Sequence, residues 1–564
     1  VSRPPVISYS QMNPPRPTFE GLKAAYQEIT AAFDKATTDE GRLEAVMMWD
    51  RNRRSFTTWH SIVGLRFAQN TKDEKAKSDR EFGDELSPKV TELNVNMMRK
   101  LLASEHRPAL EKAVGTHAFL LWTSEVTTYE PVIQDDLVTE NKLTAKHTEL
   151  VASAEINFDG EVYNLSGLGK FTEVADRDIR HRSTKARWDW VAEHAEEFDS
   201  NYDDLVKVRH GMAQKLGYDN YIDLGYRRMT RVDYTQNDVE VFRKQVVEHV
   251  VPLVAEMYKD QKERLGVEPL MAWDEPVYDL SGNPRPIGGV AELTVAAGKM
   301  FDAMNPELGS FYHLMADNGL LDLDTRPSKA GGGFCTSFED YGVPFIFANF
   351  NGSKHDAEVF THEMGHAFQC YVSMEKQLSD YIWPTFESCE IHSMSLEFFT
   401  WPHMDLFFGD DADRFKKIHL AGSLSFLPYG VAVDHFQHLV YAKPEATPAE
   451  RREMWLEMEA LYLPWHQWGD IDHGAAGGRW HLQSHIFSTP FYYIDYVLAM
   501  TCALQFWDRM QTDYEGALAE YVTLCKRGGE APFQTLARSA NLTSPFEAGC
   551  LEGAVARARD FLGY

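Results

Sequence analysis

The chain has 564 residues, 44% hydrophobic and 25% charged, an ordinary balance for a folded protein of about two to four domains or one large multilobed body. Its 85 Asp and Glu outnumber 56 Lys and Arg, and the resulting net charge of −29 repels phosphate backbones and anionic lipid, which argues against nucleic-acid and membrane-surface roles. No stretch approaches the roughly 20 apolar residues that span a bilayer, Val1-Ser2-Arg3-Pro4-Pro5 lacks the apolar core of a signal peptide, and six cysteines without C-x-x-C pairs read as free thiols, so a cytoplasmic enzyme is expected.

From about residue 19 to 146 apolar residues recur at helical spacing with few prolines, and Leu101, Leu102, Leu110, Val114, Phe119, Leu120, Leu121 and Trp122 are expected in a core. Residues 154–165 alternate around Asp159-Gly160 and predict a β-hairpin. Helices resume through Lys262, with Asp176-Arg177-Asp178 as a charged helix start, and residues 273–289 read as a connector inside a domain. The expected division is an N-terminal helical lobe with the hairpin (1–185) and a catalytic region (186–564), the two forming one body. No internal repeat is visible.

The strongest strand signal is Pro344-Phe345-Ile346-Phe347-Ala348-Asn349-Phe350-Asn351-Gly352. Upstream, Lys329-Ala330-Gly331-Gly332-Gly333-Phe334 lacks the G-K-[ST] ending of a phosphate loop, and reads as a hinge beside a cleft or as a structural turn. A strand at this place can pair with an extended peptide through backbone hydrogen bonds.

His362-Glu363-Met364-Gly365-His366 follows. On a helix, positions i and i+4 share a face about 6 Å apart along the axis, so the two imidazoles can converge on one divalent ion. Glu363, rotated by about 100°, is poised to act as general base on a water beside that ion. A match of five residues is chance-prone, and an amphipathic helix with a charged face is the plain alternative. Val372 and Gln369 stand where a metzincin needs histidine and glycine, so a third ligand comes from elsewhere. In the segment 386–399, Glu390, Met394 and Glu397 lie on one face, which makes Glu390 the favoured ligand and Glu397 an orienting partner. Glu387 and His392 compete for the ligand role. Cys370 is about 12 Å from His362 along the axis and reads as a buried apolar residue.

Downstream, His481-Leu482-Gln483-Ser484-His485-Ile486-Phe487-Ser488-Thr489-Pro490-Phe491-Tyr492-Tyr493-Ile494-Asp495-Tyr496 gathers two histidines and three tyrosines. Pro490 predicts a helix start, with Tyr492 and Tyr496 on one face. The segment reads either as aromatic core or as a source of hydrogen-bond donors for the oxyanion of peptide hydrolysis.

Together these segments resemble the thimet-oligopeptidase-like zinc peptidases, in their oligoendopeptidase F and Pz-peptidase branch. The likeness runs through Gly331–Phe338, Tyr341–Phe350, His362–Gln369, Glu390–Phe399 and His485–Tyr496. It implies a mainly α, elongated zincin-type fold with a deep channel and a small β-sheet beside the zinc helix. It implies one Zn2+ per chain on His362, His366 and Glu390, decides for Glu390 over Glu387, and gives Glu397 an outer role. The implied catalytic residues are Glu363, His485, Tyr492 and Tyr496. Gly332, Gly333, Phe347, Ala348, Asn349 and Tyr493 are the expected peptide contacts. The expected activity is cleavage of internal bonds in short, unstructured oligopeptides. The rivals are a metallocarboxypeptidase and a noncatalytic zinc-containing peptide-binding protein. No oligomeric state follows from the sequence.

Overall fold

The computed structural model describes residues 6–278 and 280–564 and is mainly helical. Among the described residues no helix is long and apolar enough to cross a membrane. The chain forms two interleaved compact units rather than lobes divided at residue 185. The first runs up to Val126 and adds Arg285–Ala412 and Cys502–Leu542. The second comprises Thr127–Pro284, Asp413–Thr501 and Thr543–Tyr564. The segment expected to be an internal connector therefore holds a passage between units, at Pro284 and Arg285.

In the first unit, the helices Phe19–Lys35, Asp39–Gln69, Glu74–Leu102, Arg107–Val114 and Thr116–Val126 match the expected helical run. Thr18 and Thr38 cap two of them by accepting backbone N–H bonds from Gly21 and Gly41, each at 3.1 Å. Their apolar faces close on Ile29, Phe33, Trp49, Met97, Leu101, Phe119 and Trp122, joined by Leu378 and Tyr381 from a later segment. Leu120 departs from expectation and is 45% exposed. Its neighbours Phe119 and Trp122, three apart, take the inward face, and one residue of helix rotates Leu120 away from it.

Three strands lie in the order β3-β5-β4, where β3 is Leu321–Asp324, β4 is Phe334–Phe338 and β5 is Val343–Phe350. β5 runs parallel to β3 and antiparallel to β4. β5 is buried along nearly its whole length, hence on both faces, which suits its nearly unbroken apolar sequence. β5 turns through Gly352, at φ 82°, into the motif helix His355–Ser373. Asp356 fastens that turn by accepting the N–H of Asn351 at 3.0 Å and of Gly352 at 2.7 Å. Beyond the helix, Asp380 accepts hydrogen bonds from Arg53 and from the Trp122 indole, both at 3.0 Å, and Asp50 accepts the Ser379 N–H. The motif helix is thus anchored at both ends.

The second unit contains the hairpin of β1 (Ile156–Phe158) and β2 (Glu161–Tyr163), as expected. Asp159 and Gly160 both have positive φ, the backbone that a two-residue hairpin turn requires. The helix Arg177–Glu193 starts at Asp176, whose carboxylate accepts two backbone N–H bonds. Buried ion pairs join Arg209 to Glu140, Arg243 to Asp434 and Arg231 to Asp495.

Candidate metal centre

The motif helix packs against Phe386–Phe399, here the ligand helix. Gly365 makes that approach possible. A Cβ at Gly365 would lie 2.5 Å from the carbonyl oxygen of His392 and 2.6 Å from the Cα of Ser393. No side chain fits between those backbones. The third and fourth letters of the motif therefore have unequal weight, since Met364 is merely a buried apolar residue.

Across this contact, Glu390 Oε2 lies 3.2 Å from His362 Nε2 and 3.3 Å from His366 Nε2. The three donor atoms fall within 4.8 Å of one another, and among the described residues this is the one group of His, Cys, Asp and Glu so arranged. Two imidazoles and one carboxylate are the donor chemistry of a catalytic zinc site with an open position. A carboxylate 5% exposed between two imidazoles also needs a cation or protons beside it, so the residues fit a divalent ion. Burial opposes ionisation of Glu390, but His366 and His362 outweigh it and hold its carboxyl well below the usual range. For His362, burial is outweighed by Glu390 and Glu397, which hold the imidazole well above its ordinary value in the protein alone.

Glu397 Oε1 accepts a 2.7 Å hydrogen bond from His362 Nδ1. That bond fixes the tautomer, leaving Nε2 to face the site. Glu397→Gln is expected to weaken metal affinity by about 10–100-fold while the fold persists, read by competition with a chelating dye. Wild-type affinity in that variant would remove Glu397 from the centre.

Glu363 is buried, and burial pushes its carboxyl above the ordinary value against the pull of His362 and His366. Gly333 lies against it, since a Cβ there would be 3.8 Å from Glu363 Oε1 and 3.2 Å from Val359. Gly331, Gly332 and Gly333 are exposed, and Gly332 has φ 86°. The stem of the run is pinned. Lys329 Nζ donates to Asp322 Oδ1 and to the carbonyls of Asp322, Asp324 and Ala348, and the Ala330 N–H donates to the Ala68 carbonyl. A structural turn describes the stem, and only the glycines themselves are uncovered.

The competing ligands stand apart. Glu387 and His392 are both about 1% exposed, and neither joins the donor cluster. Burial lowers His392 to about 4, so it is neutral. Cys370 is fully buried, and none of the six cysteines forms a disulfide.

Three expected peptide contacts fall on β5, and of these only Asn349 is partly exposed. Phe347 and Ala348 are fully buried in the central strand, where Phe347 pairs with Asp322 and Phe334 and the Ala348 carbonyl accepts from Lys329. Asn349 Nδ2 donates to the carbonyls of Ala330 and Gly332, so it holds the glycine run. β3 and β4 are the two edge strands, and Gly332 and Gly333 lead into β4.

His485 and the tyrosines belong to the second unit and cluster there. The His485 ring centre is 5.9 Å from Tyr492, 5.0 Å from Tyr493 and 5.9 Å from Tyr496, and the Tyr492 and Tyr496 rings are 4.8 Å apart. The helix begins at Tyr493 rather than Pro490. Phe491 has φ 68° and interrupts it, because its N–H donates to Gln437, its carbonyl accepts from Arg231 and its ring presses on Gly225. Arg231 also binds Asp495 in the first turn, which fixes the tyrosine helix from below. Tyr429 Oη donates to Gln483 Oε1 at 2.7 Å, and Gln483 Nε2 lies 2.8 Å from His485 Nδ1. The Arg479 guanidinium lies over the Tyr429 ring. Tyr429 lies outside every segment singled out in the sequence, and Gln483, though within 481–496, is marked by no spacing rule.

Comparison with known proteins agrees across the chain. The model of the peptidase M3 N-terminal domain matches residues 9–129, and that of peptidase family M3 matches 170–283 and 299–555. The structure of Pz peptidase A with an inhibitor is similar at 46% identity and TM-score 0.94, covering 98% of this chain and 99% of the other. A protein assigned as oligoendopeptidase F gives 43% identity and TM-score 0.94, with 99% of each chain covered. Another, from Bacillus anthracis strain Ames, gives 41% and 0.90, covering 99% and 98%. A search of curated proteins found no match. With a His-His-Glu cluster on two close-packed helices and family models spanning most of its length, this chain belongs to peptidase family M3.

Proposed function

We propose that the chain is a zinc-dependent oligoendopeptidase that hydrolyses internal bonds of short, unstructured peptides. The observation that carries this reading is the convergence of His362, His366 and Glu390 beside the buried carboxylate of Glu363. A zinc ion bound by the three residues acts as a Lewis acid that polarises a peptide carbonyl and acidifies water. Glu363 takes the proton of the attacking water and passes it to the leaving amine, and its raised pKa suits a group that must do both. Glu397 holds His362 in its tautomer.

His485, with Tyr492 or Tyr496, donates hydrogen bonds to the oxygen that becomes negative in the transition state. This role is inferred from the family resemblance, and the clustering of His485 with Tyr492 and Tyr496 supports it. Tyr493 is assigned to the peptide. Gly332, Gly333 and β4 are assigned to its backbone, in place of the central strand. Tyr492→Phe and Tyr496→Phe are expected to lower kcat, the oxyanion donor by about 10²-fold or more, with KM little changed. A change confined to KM would assign both phenols to binding. Cytoplasmic residence is part of the proposal, supported by six cysteines outside disulfides and a net charge of −29.

A further inference from the structure

The second unit contains a cavity of about 340 Å³, lined by Arg187, Trp188, Tyr429, His466, Trp468 and Arg479 among others. This volume is at the low end for small-molecule sites and larger than one ordered water occupies. Three of its walls carry buried polar atoms without a hydrogen-bond partner in the protein. They are Arg187 Nε, Arg479 Nη1 and His466 Nε2.

The two guanidiniums and two carboxylates around the cavity are unevenly paired. Glu459 lies 3.9 Å from Arg479, and its two oxygens accept the indole N–H groups of Trp455 and Trp468. Glu275 is engaged by His466 Nδ1 at 2.8 Å. Arg479 therefore has carboxylates near it. Arg187 has none, and burial depresses its pKa with only Tyr429 acting against that. A guanidinium whose Nε is buried without a partner and which has no anion beside it is costly, and a ligand carrying one negative charge offsets the cost.

We propose that this cavity binds a small organic monocarboxylate, with its carboxylate on Arg187 and its body against the aromatic walls. The planar fork of a guanidinium matches carboxylate geometry. A single guanidinium without a carboxylate partner of its own calls for one negative charge, which favours a carboxylate over a sulfate or phosphate dianion. Trp188, Trp468 and Tyr429 suit an apolar body of amino-acid or dipeptide size. The carboxylate could belong to a free amino-acid derivative or to the end of a short peptide. The site does not depend on the peptidase reading, because its test measures binding.

Isothermal titration of the full chain with N-acetylphenylalanine, its neutral amide, glycyl-glycyl-phenylalanine and sodium sulfate tests the proposal. The carboxylates are expected to bind at least tenfold more tightly than the amide and the sulfate, and Arg187→Gln to remove that preference. Tighter binding of the acetylated amino acid assigns the site to small metabolites, and tighter binding of the tripeptide assigns it to peptide ends. Equal binding of acid and amide, sulfate as tight as the carboxylates, or an unchanged preference in Arg187→Gln overturns the proposal. The last result would move the carboxylate elsewhere, the metal centre included. Should Arg187→Gln melt early, crystals of the wild-type chain soaked with N-acetylphenylalanine decide, since the carboxylate must then lie on Arg187.

Discussion

Glu363→Gln is expected to lower kcat by about a thousandfold while leaving one metal ion per chain. The substitution preserves shape and hydrogen-bonding reach, but an amide cannot accept a proton from water at neutral pH. Glu363 is not among the three converging donors, so its loss leaves His362, His366 and Glu390 intact. The site also predicts where the deficit lies. The carboxylate acts in the transition state and contributes little to holding the ground-state peptide, so kcat falls and KM stays near the wild-type value. Steady-state kinetics on a quenched peptide, with elemental analysis of the same sample, reads both quantities. Near-normal turnover would contradict the role of Glu363. Loss of metal together with activity would make Glu363 a ligand instead of a base.

Gly365→Ala is expected to damage the centre without touching any group that does chemistry. The new methyl meets the His392 carbonyl and the Ser393 Cα, both backbone, so rotamer change cannot relieve the overlap. The motif helix and the ligand helix must separate, and those helices carry His366 and Glu390 respectively. Overpacking of this kind costs about 1–3 kcal/mol. A shift of a few tenths of an ångström also spoils the ligand spacing, so metal affinity is expected to fall more than tenfold and activity about a hundredfold. Met364→Leu is the control, being a near volume-conserving change at the neighbouring buried position, with an expected cost below about 1.5 kcal/mol. Thermal unfolding and dye competition on the two variants give the comparison. Equal behaviour of Gly365→Ala and Met364→Leu would show that the helices do not need their close approach.

These two variants also mark what could be read from the chain alone. Helical spacing was enough to put His362 and His366 on one face, because i and i+4 geometry is local. The hairpin at Asp159-Gly160 was legible for the same reason, since the turn needs two residues tolerant of positive φ. Glu390 lies 24 positions after His366, and spacing only favoured it over Glu387. The family resemblance made the choice. Nothing local separates Gly365 from Met364, because the constraint on Gly365 comes from another helix.

The strand expected over 344–352 forms as β5 over 343–350, and its apolar run belongs to a central strand buried along nearly its whole length. Phe347 and Ala348 are therefore core, and Asn349 is a brace for the glycine run. Pro490 was a reasonable helix start until Arg231 and Gln437 claimed the backbone of Phe491. Those partners lie far away in sequence, as do the segments that interleave to build each unit. Local patterns carried the elements and much of the metal centre; long-range contacts set the strand order and the unit boundaries.

The central claim is metal-dependent cleavage inside a peptide. The direct measurement is hydrolysis of an internally quenched peptide blocked at both ends, before and after chelation and again after one equivalent of zinc, with products identified by mass spectrometry. The account predicts internal cleavage, its loss on chelation and its return with zinc. Undiminished cleavage in the metal-free protein, or release of single residues from an unblocked C-terminus with the blocked peptide untouched, would contradict it.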